Sequence, residues 1–214
     1  MIVVKVGGAV VAGAMPALDG EVCVVHGAGP QITAEMRRLG LPVEFVGGRR
    51  VTTAAALAVV REALVAVNRR LCAAIGHRAV GLMGDEIGLR ARRIPALGLV
   101  GAPVPSRPAA VEAALAAGLV PVVAPLAAGP LNVNADEMAA ALAAGLGAER
   151  IVFLTDVPGL LRDGAVVRAI PADEAEDLLA SGELKGGILP KLTAAVTAAR
   201  LGVAASIGET AVHA

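Results

Sequence analysis

The chain has 214 residues and a mass of 21.2 kDa, with 19 basic and 19 acidic side chains and a formal net charge of zero. Hydrophobic residues make up 56% and charged residues 18%, which excludes a disordered chain and supplies one sizeable core. The charge balance argues against a partner made of nucleic acid or anionic membrane, and with two Phe and no Trp or Tyr there are no stacking platforms for single strands.

The chain opens with a continuous apolar run, IVVKV at 2–6, ended by Gly7-Gly8; a second, VCVVH at 22–26, is ended by Gly27-Ala28-Gly29. Continuous rather than alternating runs predict strands covered on both faces, as in a parallel sheet between helix layers. The short interval between them leaves room for only a short crossover helix. A helical pattern follows over 30–39, with Pro30 suited to a first helical position. VEFVGGRRVT at 43–52 predicts a hairpin around Gly47-Gly48, after which Thr52 or Thr53 caps a long helix reaching roughly residue 75. Further strands are predicted at 79–82, 119–123, 151–154 and 203–207, and helices at 109–117, 135–146, 172–179 and 192–201. The Pro- and Gly-rich stretch 95–108 predicts hairpins or loops. This alternation predicts an α/β fold with a mostly parallel sheet, in a single domain spanning 1–214.

Two stretches could imitate targeting or membrane segments. Lys5 interrupts the apolar N-terminus, and the uncharged run 113–131 is broken by Pro121, Pro125, Pro130, Gly118 and Gly129. A cytoplasmic protein without membrane attachment is expected. Cys23 and Cys72 lie far apart in apolar surroundings and predict buried reduced thiols. His26, His77 and His213 are scattered without ligand spacing, so no metal site is expected on the protein.

Ligands of open α/β sheets bind outside the carboxyl ends of the strands, so the glycine turns carry the first functional expectations. In KVGG, Lys5 stands at the end of the first strand before two glycines, a pattern that suits an anion. HGAGP (26–30) opens a helix and offers another anion site, but its third fingerprint position is Ile32 rather than glycine, which disfavours a dinucleotide dehydrogenase. The Walker pattern is absent. In LNVNAD (131–136), Asn132 and Asn134 are two apart and would offer paired amides on one side of an extended segment. Asp136 follows in the first turn of an Ala-rich helix, where helix capping is the plain alternative to catalysis. LKGGILPK (184–191) places Lys185, Gly186-Gly187 and Lys191 ahead of the last long helix.

In this order, K-x-G-G, H-G-x-G-P, G-x-R-V-T, N-x-N-A-D, L-T-D-V-P-G and G-G-I-x-P-K resemble the amino acid kinase family over nearly the whole chain. Within it the chain is most similar to the branch that phosphorylates the γ-carboxylate of N-acetylglutamate in arginine biosynthesis. The resemblance implies a three-layer α/β/α sandwich with an eight-stranded, mainly parallel central sheet. It implies an N-terminal half that binds the acyl amino acid and a C-terminal half that binds ATP, with Mg2+ held mainly by the phosphates.

Residue by residue, the resemblance makes Lys5, Asp136 and Lys191 the catalytic set, with Asp136 holding both lysines. Gly27, Ala28, Gly29, Arg50, Asn132 and Asn134 would bind the acyl amino acid, Arg50 gripping its α-carboxylate while Arg49 faces outward into solvent. Gly7, Gly8, Thr155, Asp156, Gly159 and Gly187 would line the nucleotide site. The resemblance also implies a homodimer. Alternatives are a kinase for aminoadipate or glutamate on a carrier protein, in lysine or arginine biosynthesis, and a non-catalytic amino acid or nucleotide sensor. Departures from the family pattern are Ala28 within the usual glycine triplet, a short first crossover, short hairpins before Asn132 and a terminus compressed into GETAV (208–212). They imply an altered substrate or lower activity. A first strand beginning at Ile2 implies insensitivity to arginine.

Overall fold

The computed structural model describes residues 1–7, 20–155, 157–184 and 186–214. The expected crossover between the first two strands, and the expected site residues Gly8, Asp156 and Lys185, lie outside the described residues. The elements in chain order are β1 (Ile2–Val6), β2 (Val22–His26), α1 (Gly29–Arg38), β3 (Phe45–Val46), β4 (Arg49–Arg50), α2 (Ala54–Ile75), β5 (Ala79–Met83), β6 (Ala91–Arg93), a 3-10 turn at Pro95–Leu97, β7 (Val100–Pro103), α3 (Ala109–Ala116), β8 (Val120–Ala124), β9 (Leu126–Ala127), β10 (Leu131–Val133), α4 (Ala135–Leu146), β11 (Arg150–Phe153), β12 (Leu161–Arg162), β13 (Ala165–Val166), β14 (Ala169–Pro171), α5 (Ala172–Ser181), α6 (Ile188–Arg200), β15 (Ala204–Ile207) and β16 (Thr210–His213).

Eight of these strands form one sheet in the order β14-β16-β15-β11-β1-β2-β8-β5. Every neighbouring pair is parallel except β15 with β16. The continuous apolar strands are buried on both sides, as a sheet between two helix layers requires. Val4, Val6, Val22 and Val24 pack with Ile32, Val60 and Leu64 of α1 and α2, whereas Val3, Cys23 and Val25 pack with residues of α3 to α6 such as Met138 and Leu192. The period of two therefore puts Lys5 on the same sheet face as Val3, which is the face that α4 covers.

Successive strands diverge from β1. The N-terminal strands β2, β8 and β5 lie on one side, and the C-terminal strands β11, β15, β16 and β14 on the other. Lys5 pairs in register with Val25 of β2 and with Phe153 of β11, at the carboxyl end of the strand where the order reverses. That is the place where an open α/β sheet leaves a crevice for ligand. A second sheet, β6-β7-β10-β9, carries Asn132 on β10, and the β3–β4 hairpin stands apart.

The 113–131 run divides into the end of α3 and the strands β8 and β9. No helix among the described residues is long and apolar enough to cross a membrane. Thr53 rather than Thr52 caps α2, its side chain accepting from the N–H of Ala56 at 3.2 Å. Thr52 is wholly buried and serves the site instead.

Candidate active site

A cavity of about 540 Å³ opens at the switch point of the sheet, within the range of small-molecule sites. The glycine turn after β2, the β3–β4 hairpin, β10, the start of α4 and the first turns of α6 all contribute to its walls. Of the residues expected from sequence, it gathers Lys5, Gly7, Gly27, Ala28, Gly29, Arg50, Asn132, Asn134, Asp136, Thr155 and Lys191. Gly159 and Gly187 are not in its lining.

Lys5 and Asp136 meet at 2.8 Å between Nζ and Oδ1, with side chains only 7% and 9% exposed. The contact is electrostatic rather than an aligned hydrogen bond, since Oδ1 accepts none among the described residues. A buried pair of this kind is costly to break from one side, because the survivor keeps a charge without compensation. Asp136 is not the helix cap. Asn134 is: its side chain accepts from the N–H groups of Asp136 and Glu137 at 2.8 and 3.1 Å. Lys191 stands in the first turns of α6, where its Nζ donates to the carbonyl of Gly187, the N-cap, at 3.1 Å.

The two asparagines do separate work rather than offering one pair of amides. Asn132 donates to Thr52 Oγ1 at 2.9 Å, and Asn134 donates to the carbonyl of Gly48 at 3.0 Å while it caps α4. Thr52 in turn donates to the carbonyl of Arg50 at 2.7 Å. Thr52 was missed in the sequence, although in Val51-Thr52-Thr53 only one of two adjacent threonines can cap a helix, and the other must find a different partner.

Arg50 is 6% exposed and reaches back to α1, donating to Thr33 Oγ1 at 2.7 Å and to the carbonyl of Gly29 at 3.3 Å. Its guanidinium lies over the Phe45 ring at 4.5 Å. Burial works against its charge, yet a guanidinium remains protonated, so the pocket holds a fixed, oriented cation. Arg49 corrects an expectation. It is not a solvated surface arginine but is 31% exposed, lines the cavity and pairs with Glu137 of α4, Nε to Oε1, at 2.9 Å. Adjacent residues of a strand do point apart, but α4 receives the Arg49 side. Burial pushes the Glu137 carboxyl above its ordinary range, opposed by the hydrogen bond from Arg49.

The glycine turn also differs from expectation. The N–H of Gly27 donates to the carbonyl of Val6 at 2.9 Å, so it closes the β1–β2 ladder and is not available to a ligand. The first turn of α1, starting at Gly29, faces the cavity, and first-turn N–H groups have no intrahelical acceptor. Ala28 is 2% exposed and joins the apolar cluster of α1 and α2, so its methyl takes the place of a core-facing hydrogen.

His26 is fully buried between two partners. Asn68 Nδ2 lies 3.1 Å from Nε2, and Nδ1 lies 3.4 Å from the carbonyl of Gly27. Because an amide NH2 can only donate, Nε2 accepts and Nδ1 carries the proton. Burial lowers the imidazole from its ordinary 6.5 to about 4. His26 is thus a neutral structural link between the glycine turn and α2. Cys23, fully buried, is pushed up to about 12 and is inert as a nucleophile.

On the C-terminal side of the sheet, Thr210 is buried on β16 and accepts from the N–H of Leu160 at 2.8 Å. Gly159 has a φ of +154°, and a Cβ there would run into Thr210 Oγ1, so glycine lets the loop after β11 close onto the C-terminal hairpin. Among the described residues no grouping of three His, Cys, Asp or Glu side chains could hold a metal ion.

A mainly parallel sheet with a switch-point cavity lined by four basic residues (Lys5, Arg49, Arg50, Lys191) and one acidic residue (Asp136) presents a basic crevice suited to anions. The chain belongs to the amino acid kinase family, whose pattern it matches over residues 1–208. It is 46% identical to the acetylglutamate kinase of Rubrobacter xylanophilus over 96% of this chain and 87% of that protein. It is 38% identical to the acetylglutamate kinase of Geobacillus stearothermophilus over 92% of this chain and 84% of that protein. Among solved structures, a Streptococcus mutans protein superimposes with a TM-score of 0.89 at 26% identity, covering 99% of this chain and 98% of its own.

Proposed function

We propose that the protein is an ATP-dependent carboxylate kinase that converts the γ-carboxylate of N-acetylglutamate into an acyl phosphate in arginine biosynthesis. The observation that carries this reading is the buried Lys5–Asp136 pair on the floor of a cavity whose walls bring Arg50 and Lys191 to the same space. The similarity to two acetylglutamate kinases supports the choice of acyl amino acid.

The nucleophile is a carboxylate that titrates near ~4.3 and is already ionised at neutral pH, so no general base is needed. Its oxygen attacks the γ-phosphorus of ATP; the new P–O bond forms as the bond to the leaving ADP breaks, and no proton moves. The barrier is repulsion between two anions, which fixed cations relieve in a site that needs no reorganisation. In this reading Lys5, held by Asp136, meets the transferring phosphoryl from the substrate side. Lys191 meets it from the nucleotide side and stabilises the leaving phosphate. Arg50, pinned to Thr33 and the Gly29 carbonyl, takes the α-carboxylate, with Asn132, Asn134 and the turn Gly27-Ala28-Gly29 enclosing the acyl end. Gly7, Gly8, Thr155, Asp156, Gly159 and Gly187 form the nucleotide side, so the two halves of the sheet divide the two substrates. Mg2+ accompanying ATP would be held by the phosphate oxygens and would screen their charge.

Hydroxylamine trapping across a panel of acylated amino acids tests the reading. Hydroxamate should form with N-acetylglutamate and ATP. Asp136→Asn should lower that rate by about 10²–10³, the scale for disturbing one preorganised charge donor. Because Asn134 is the cap, Asp136→Asn leaves the start of α4 intact. A variant as fast as the parent, or a parent that binds nucleotide and forms no hydroxamate with any acyl amino acid, overturns the proposal.

A further inference from the structure

The β3–β4 hairpin ties back to α1 through Arg50, which donates to Thr33 and Gly29, whereas the polar contacts of its tip and of Arg49 run to α4. Asn134 of the α4 N-terminus holds the carbonyl of Gly48 at 3.0 Å. Arg49 Nε reaches both carboxylate oxygens of Glu137, at 2.9 Å to Oε1 and 3.1 Å to Oε2. The hairpin tip also sits against α6, since a Cβ on Gly48 would stand 3.5 Å from Pro190, the neighbour of Lys191. In contrast, Phe45 and Val46 on the opposite strand of the hairpin are 53% and 49% exposed, so little apolar burial holds the hairpin in place. The hairpin is two residues per strand, too short to be stable alone. Polar contacts therefore do much of the positioning: Arg50 holds the hairpin to α1, and the Arg49–Glu137 ion pair holds it to α4.

We infer that Arg49 and Glu137 form a positioning pair that straps the substrate hairpin to the first turn of α4, so that Arg50 is aimed at the substrate while Asp136, next to Glu137, holds Lys5. The pair touches no reacting atom. It acts through the hairpin, and its loss should leave Arg50 present but misplaced for part of the time. The kinetic expectation follows from that: binding of the acyl amino acid weakens more than turnover does, and nucleotide binding is hardly altered. The inference rests on the proposed reaction for its kinetic arm only.

The experiment combines steady-state kinetics with hydrogen–deuterium exchange of the full-length protein, comparing Arg49→Met, Glu137→Gln, the double variant and Arg49→Lys. Each single variant should raise KM for N-acetylglutamate about 5-fold, the scale of one partly exposed ion pair, with KM for ATP changed less than about 2-fold. Amide exchange over residues 43–51 should rise by a similar factor. The double variant should be no worse than either single one, because both remove the same interaction. Arg49→Lys keeps a cation within reach of Glu137 and should hold exchange near the parent value. Additive effects in the double variant, unchanged exchange in both single variants, or Arg49→Lys exchanging as fast as Arg49→Met would each overturn the inference. If the parent phosphorylates no acyl amino acid, the proposed function fails, and the exchange arm still decides the positioning pair.

Discussion

His26 stands at the end of β2 beside the cavity's glycine turn, with both ring nitrogens facing protein groups and burial holding it neutral. The consequence is a pH dependence of stability. The folded imidazole titrates near about 4 and the unfolded one near 6.5, so between these values the unfolded chain binds more protons. Stability is fully present above pH 6.5 and is lost as pH falls towards about 4, by roughly 3 kcal/mol at ~1.36 kcal/mol per pH unit. Urea melts followed by circular dichroism from pH 7.5 to 4.5 should show this loss, and His26→Gln, which cannot titrate, should flatten it. An equally steep loss in that variant would assign the effect to other groups. Lys5, Asp136 and Arg50 were legible as candidates because their order along the chain matches a family pattern, and all three line the cavity. Thr52 and Glu137 were not legible, because they act through contacts far apart in sequence, Asn132 to Thr52 and Arg49 to Glu137.

At the scale of elements, α4 explains why the core contains so much alanine. Met138, Ala139, Ala140, Ala141, Leu142 and Ala143 are all buried in succession, so the helix has no exposed stripe for a 3.6-residue period to reveal. Sheet, α6 and the 104–108 loop enclose it, and only small residues allow that approach. Gly145 marks the tightest point: a Cβ there would run into the backbone N, C and O of Ser106. Gly145→Ala sets two effects against each other, about 1 kcal/mol gained in helix propensity and about 1–3 kcal/mol lost to overpacking against backbone that cannot rotate away. Overpacking wins, so thermal unfolding should shift down, while Gly147→Ala at the C-cap tests only the left-handed φ of +67°. A Gly145→Ala protein that melts at or above the parent temperature would show that the loop yields. Helices and inner strands were legible because their apolar runs are long. The misreadings have local causes. The last helix starts at Ile188, not at residue 192, because Pro190 looks like a breaker in sequence but sits in the first turn, where no N–H is needed. β14 and β16 were missed since they are only three and four residues long, with β14 at the sheet edge.

For the whole molecule, β5 ends one side of the central sheet among the described residues. β5 is the outermost strand beside β8, and residues 79–83 (AVGLM) carry no charge, no proline and only partial burial. An exposed edge with an unpaired row of backbone groups invites pairing unless charge or proline blocks it. Next to it, Val65, Asn68, Arg69, Cys72, Gly81 and Met83 border a crevice of about 370 Å³ between α2 and the edge. Val80 is only partly buried within the protomer. A homodimer that continues the sheet across two β5 strands would cover both features at once, and two-fold symmetry would pair the edges antiparallel. Light scattering should then give a mass of about twice 21.2 kDa at micromolar concentration. Val80→Lys should shift the mass to that of one chain without unfolding it, since the substituted position is only partly buried. A parent protein that scatters as a monomer, or a Val80→Lys variant that remains dimeric, would remove β5 as the joining edge.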